Sequence, residues 1–320
     1  MKHFPGLVVA LFALLVTGTA LAQPYPNRTI KIIVPFPPGG GADTLARPLA
    51  ERLRVRLGQP VILENRSGAA SNIGTEAVAR AAPDGYTFLI NTDGIAIYPH
   101  LYANLSYDPF RDLVPVTYVA DTPLVLAGNP GVKAASVKEL IDLAGRDSNQ
   151  FNFANPGLGT PHHLAFELFT RAANLKLTHI NYKGGGPALA DVLAGHVQLG
   201  MFTLGAVLPH IQAGKLKPFA VMTAKRTQFA ADVPALSEAL PGVTAGLRFV
   251  LMAPKGTPRD IAVTMQTAVA EVLKEQDMRD ILKRAGFEPM STTPEETGAL
   301  MRQDHERWGP VLKAANIRLD

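Results

Sequence analysis

His163 and Glu167 stand four residues apart in the stretch "PHHLAFELF". On a helix that spacing brings both to one face, where an imidazole and a carboxylate make half of a metal site. No further ligand follows at a telling spacing. His179 and His196 occur singly, and His162 is expected to be exposed beside His163, so a local hydrogen bond is the expected use of the pair. The nucleophile elbow G-x-S-x-G and the zinc helix H-E-x-x-H are both missing from the chain. Asp43, Asp84, Asp93 and Asp191 fall where turns and helix caps want a carboxylate. Asp43 also adjoins a glycine loop, which leaves a ligand role open. No nucleophile and base are placed together, so no catalytic residue, metal or cofactor is expected.

A different chemistry is written into the glycines. "IIVPFPPGGGADTLAR" passes from an apolar run through two prolines and three glycines into a helical pattern. "FNFANPGLGTPHHLAF" repeats the plan, with Thr160 as N-cap and Pro161 in the first turn. "HINYKGGGPALADVL" is a third example, and "ENRSGAASNIG" a looser fourth. Each turn offers free backbone N–H groups and the positive end of a helix, a site for a carboxylate or phosphate that needs no charged side chain. Nucleotide-binding versions are excluded. The P-loop string G-x-x-x-x-G-K-[ST] does not occur, and "GLGTPH", "GGGADT" and "GGGPAL" each lack part of G-x-G-x-x-G. Four such turns point to a shared binding cleft.

The elements that must hold these turns are short apolar strands alternating with helical segments, the pattern of a parallel or mixed sheet covered by helices. "TIKIIVPF" is nearly continuous in apolar residues, as a strand buried on both faces should be. The helix that follows runs to Gly58, a good C-cap. Pro48 inside it predicts a kink, or a start later than Asp43. A middle section spans about Pro123 to Ala245, and the chain then returns with "LRFVLMAP" and long helices. The first of those is expected to have Thr257 as cap and Pro258 at its first position. Ile261, Met265, Ala268 and Val272 form its apolar stripe. Trp308, the one tryptophan, is assigned to core packing.

The N-terminus reads as a leader: Lys2, an apolar run from Leu7 to Val16, then Ala20-Leu21-Ala22 as a cleavage site. The run of about 10 residues is too short to span a bilayer, which takes about 20. The mature chain is expected to start at Gln23. There is no cysteine, hence no disulfide framework or thiolate metal site. Hydrophobic content of 47% and charged content of 18% are ordinary for a globular protein. The formal net charge of +4, without a basic run, gives no reason to expect nucleic-acid binding.

Taken together, "YPNRTIKIIVPFPPGGGADTLAR", "ENRSGAASNIGTEAVARAAPDGYTFL", "GTPHHLAFELF", "YKGGGPALADVLAGHVQLGMF" and "LPHIQAGKLKPFAV" resemble the Bug receptors. These are periplasmic solute-binding proteins related to the tripartite tricarboxylate transporters, and the resemblance covers essentially all of residues 24–320. It implies an α/β, two-domain periplasmic binding protein of type II-like architecture, its domains joined by two crossing strands with a ligand cleft between them. Residues 1–22 are then the signal peptide, 23–122 with 246–320 the first domain, and 123–245 the second.

Carried over residue by residue, the resemblance makes Phe36, Pro38, Gly39, Gly40, Gly41 and Asp43 the first binding loop. Asn91 and Thr92 lie beside it. Asn155, Gly157, Gly159 and Thr160 form the second loop, and Tyr182, Gly184, Gly185 and Gly186 a third wall, with Thr203 near the pocket. Two departures bear on the ligand. Asn155 and Pro156 stand where the second loop usually carries serines, and Thr203 where many members carry an aspartate.

The implied function is non-covalent capture of a small organic carboxylate in the periplasm. Delivery would be to integral-membrane permease subunits of a tripartite tricarboxylate transporter, or to a sensor, with the receptor a monomer. An exported enzyme acting on a small acid is the alternative reading. A purely structural protein fits the glycine-lined cleft poorly.

Overall fold

The computed structural model describes residues 25–314 and 317–319. The expected leader and its cleavage site lie outside them. Among the described residues no helix is long and apolar enough to cross a membrane.

The first lobe opens with β1 (Ile30–Val34), α1 (Gly41–Leu57), β2 (Val61–Asn65), α2 (Asn72–Ala79), β3 (Thr87–Thr92) and the short α3 (Tyr98–Leu101). β1 lies between β2 and β3, parallel to both. Ile30, Ile32, Ile33 and Val34 are all buried, which explains why its sequence is nearly continuous in apolar residues rather than alternating. α1 ends at Gly58 in the left-handed conformation. It starts at Gly41, before Asp43, and runs on through Pro48, so the expected late start does not occur. Leu45, Leu49 and Leu53 bury one face of that helix completely. Their burial outweighs the backbone bond that Pro48 cannot donate.

β4 (Leu113–Gly128) is a 16-residue strand that joins the two halves of the sheet. Its first part, from Leu113 to Pro123, pairs antiparallel with β9 (Gly246–Pro254). Its last part, from Leu124 to Gly128, pairs with β7 (Leu199–Thr203) and β8 (Lys217–Val221). The chain returns at Ala245, whose N–H still bonds Met222 of the second lobe; the next residue, Gly246, is already opposite Pro123 on β4. β4 therefore runs from one lobe into the other, and the chain crosses back at Ala245–Gly246, where β9 begins.

The second lobe contains α4 (Val137–Arg146), β5 (Asn152–Asn155), α5 (Pro161–Ala172), β6 (Thr178–Asn181), α6 (Gly185–Ala194) and α7 (Leu204–Gln212). β5 is parallel to β6 and β7. The chain closes on the first lobe with α8 (Arg259–Lys274), α9 (Gln276–Arg284), β10 (Glu288–Pro289) and α10 (Pro294–Ala314). α8 begins one residue later than its sequence suggests. Pro258 is the cap, because the Thr257 hydroxyl donates to the Pro254 carbonyl instead of capping. Met265, Ala268 and Val272 are buried, with Ile261 at the edge. Trp308 packs at the margin of the first-lobe core and is only partly buried.

Candidate ligand-binding cleft

The carboxyl ends of β1 and β2 in one lobe face those of β5 and β6 in the other. In open α/β sheets this edge is where ligands sit. All four glycine turns reach it. Pro35–Pro37 after β1, Gly68–Ser71 after β2, Pro156–Leu158 with Thr160 after β5, and Asn181–Gly184 after β6 line one cavity of about 300 Å³. An inner chamber of about 40 Å³ adjoins it, sharing Phe36, Pro156, Thr160 and Gly184. Its walls are mostly apolar (Ala42, Phe202, Ala206, Leu247, Phe249), with Thr92, Thr160, His162 and Thr203 as its polar side chains. Among the described residues, Lys183 is the one charged residue lining either space, and no carboxylate lines them.

Several glycines are required by the approach of one lobe to the other. A Cβ on Gly41 would lie 2.5 Å from Thr203 Oγ1, and one on Gly186 2.8 Å from the Pro38 carbonyl. A Cβ on Gly184 would collide with the ring of Pro37. The lobes thus touch across the cleft, backbone against side chain at Gly41 and Gly184 and backbone against backbone at Gly186, in a closed arrangement.

The turn after β2 carries the most unusual backbone. Gly68, Ala69, Ala70 and Ser71 have φ of 136°, 45°, 50° and 79° in succession. Three non-glycine residues in the left-handed region cost energy that surrounding contacts must offset. Tyr98 supplies them: its hydroxyl donates to the Ala70 carbonyl at 2.8 Å and shares a 3.0 Å hydrogen bond with the Ser71 hydroxyl. The Asn91 side-chain amide donates hydrogen bonds to the Ser71 and Thr75 hydroxyls.

Of the residues expected at the site, ten line the two spaces: Phe36, Gly40, Gly41, Thr92, Gly157, Thr160, Tyr182, Gly184, Gly185 and Thr203. Seven do not: Pro38, Gly39, Asp43, Asn91, Asn155, Gly159 and Gly186. Five of these, Gly39, Asp43, Asn91, Asn155 and Gly159, spend polar groups on holding the turns. Asn91 braces the strained turn as described. Asn155 accepts the Gly157 N–H and donates to the Asn181 side chain. Gly159 gives its N–H to His163 Nδ1 at 3.1 Å, so that amide is not free for an anion. Asp43 is buried and accepts from the Gly39 amide, the Asn65 amide and both arms of Arg47 at 2.8–3.1 Å. His162, expected to be exposed, is partly buried and lines the inner chamber. Burial pulls its pKa down to about 4, leaving a neutral ring that can donate one hydrogen bond at neutral pH.

Sequence spacing gave no signal for Tyr102 or Leu319, which line the outer cavity. The turn Gly68–Ser71 was visible as a glycine turn, but not the left-handed run within it.

His163 and Glu167 do gain a third neighbour, His179 from β6, with ligand atoms all within 4.8 Å of one another. The tautomer argues against metal binding. Because Nδ1 of His163 accepts the Gly159 N–H, the neutral ring carries its proton on Nε2, the atom 3.7 Å from Glu167. A metal on Nε2 would put the proton on Nδ1, face to face with the Gly159 N–H. The ring serves the second loop instead.

Asp43 predicts a pH effect. Burial opposes its charge, but bonds from Arg47, the Gly39 amide and Asn65 outweigh that and hold the carboxyl below its ordinary range. A depressed folded-state pKa contributes stability that is present above about pH 4 and is lost as pH falls through the folded value. Asp43→Asn should therefore be less stable than wild type at pH 7, with the gap narrowing at about pH 3. Urea midpoints at the two pH values measure it, and a constant gap would remove Asp43 from the account.

Comparison with known proteins agrees with this geometry. Residues 45–317 match the tripartite tricarboxylate transporter family receptor. Protein BugT of Bordetella pertussis is 36% identical over 320 residues, covering 98% of each chain. The periplasmic binding protein BugD superposes with a TM-score of 0.89 at 32% identity, over 92% of this chain and 100% of that one. An R. palustris protein solved with adipate gives the same TM-score at 36% identity and the same coverage. The fold is that of a two-domain periplasmic binding protein, and the chain belongs to the tripartite tricarboxylate transporter receptor family.

Proposed function

We propose that this chain is a periplasmic receptor that captures a small organic carboxylate between its two lobes and releases it unchanged. The observation that carries this reading is the convergence of four strand-to-helix turns, two from each lobe, on one cavity. Backbone N–H groups and helix N-termini supply partial positive charge there. Thr92, Thr160, Thr203 and His162 add neutral hydrogen-bonding groups. The adipate bound to the R. palustris relative supports a carboxylate as ligand.

The ligand lacks an ammonium group. A buried ammonium needs a paired negative charge, and among the described residues no carboxylate lines either space. Asp43 is taken by Arg47, and Asp93 by Arg248, which also pairs with Asp304. The lobes divide at 122/123 and 245/246, giving domains 23–122 with 246–320 and 123–245. Closure of these lobes presents the loaded monomer to permease subunits of a tripartite tricarboxylate transporter or to a sensor. The leader, residues 1–22, directs export.

The mature protein incubated with linear dicarboxylates should bind one molecule per chain and leave it chemically intact. A ligand at 100 times its Kd adds about 2.7 kcal/mol of stability, enough to raise the thermal midpoint by several degrees. Turnover of any acid would favour the enzyme reading.

A further inference from the structure

Leu319 lies almost 300 residues from the first binding turn, yet it lines the outer cavity beside the four glycine turns. Its backbone N–H bonds the Leu101 carbonyl of the first lobe at 2.9 Å, which fixes where the side chain stands. Its Cδ1 packs so tightly on Gly159 of the second lobe that a Cβ there would collide with it. Tyr102 completes the contact, its hydroxyl 3.4 Å from the same Cβ position. Ile317 is held in turn by its N–H on the Leu312 carbonyl of α10 at 3.0 Å. The neck between the chambers is formed by Phe36, Pro156, Thr160 and Gly184. Leu319 is not among these and does not reach the inner chamber.

We propose that Leu319 forms the outer end wall of the ligand cavity and sets the length of ligand that the closed receptor accepts. This rests on reading the cavity as the carboxylate site. A ligand seated at the neck extends outward until it meets this side chain, which is held against both lobes only when they are closed. Shortening the side chain opens room for a longer ligand, and each further buried methylene is worth about fourfold in affinity. Leu319 is half-buried at the margin of the first-lobe core, so each variant's stability is measured beside its affinities.

The test is a titration of linear dicarboxylates from succinate to suberate against wild type, Leu319→Ala and Leu319→Trp. Leu319→Ala should move the best ligand one or two methylenes longer. Leu319→Trp should weaken the longest acids that wild type binds by at least about fivefold, since overpacking costs about 1 kcal/mol or more. A side chain that merely holds the tail would change stability and leave the order of affinities alone. An identical length profile in all three proteins overturns the proposal. If wild type binds no acid of the series, the carboxylate reading fails, and the placement of Leu319 is read without ligand. The chain has no cysteine, so Leu319→Cys and Val55→Cys each carry a single thiol. Val55 is 69% exposed. Iodoacetamide should modify the thiol at 319 several-fold more slowly; equal rates overturn the placement.

Discussion

Gly40→Leu is expected to weaken ligand binding by about fivefold to about 100-fold while leaving the fold intact. Gly40 is buried and lines the inner chamber, yet a Cβ built on it meets nothing nearer than the Pro37 carbonyl at 3.9 Å. A buried residue whose side-chain direction is open points into the cavity. Its φ of −84° suits any residue, so a leucine is not strained there. Losing glycine at an N-cap costs some stability, but restricting the unfolded chain offsets part of it, so the net change is within about 1 kcal/mol. In a closed site of this size the leucine and the ligand compete for the same space. Forcing both in costs about 1–3 kcal/mol or more, and about 2.7 kcal/mol is already a hundredfold. Isothermal titration beside a denaturant melt separates the two effects, and unchanged affinity would place the ligand elsewhere.

Thr203→Asp is expected to reverse the preference between acids and amino acids. Thr203 is 4% exposed, lines the inner chamber, and stands where one lobe touches Gly41 of the other. A hydroxyl there can bond a carboxylate or a water but cannot neutralise an ammonium. A carboxylate would repel the ligand's own charge even at a distance. At about 8 Å and an effective dielectric of about 20, like charges repel by about 2 kcal/mol, or about thirtyfold. The same charge attracts an ammonium. The variant should therefore lose dicarboxylate affinity by at least about tenfold and gain affinity for aspartate or glutamate. A variant that keeps the wild-type order would show that position 203 does not face the ligand.

Much of the architecture could be read from the chain because its signals are local. An apolar run meeting glycines before an amphipathic helix marks a β-turn-α unit, and the four units so marked all reach the cleft. Where local signals and tertiary burial disagree, burial decides: Pro48 sits within α1 because Leu45, Leu49 and Leu53 are buried around it. The residues that line the site were legible to the extent that they belong to the turns. Which amides face the cavity was not, because that depends on partners far along the chain. Gly159 looked like an anion donor until His163 claimed its N–H. Tyr98, Tyr102 and Leu319 carry no motif at all, and only the packed structure brings them to the turns.

The most direct test of the account is titration of the mature protein with matched pairs of acids at neutral pH: succinate with aspartate, glutarate with glutamate, and adipate with 2-aminoadipate. The account predicts one-to-one binding of at least one amino-free acid, tighter than its amino counterpart, with no chemical change in either. Tighter binding of the amino acid in every pair, or no stoichiometric binding of any acid, would contradict it.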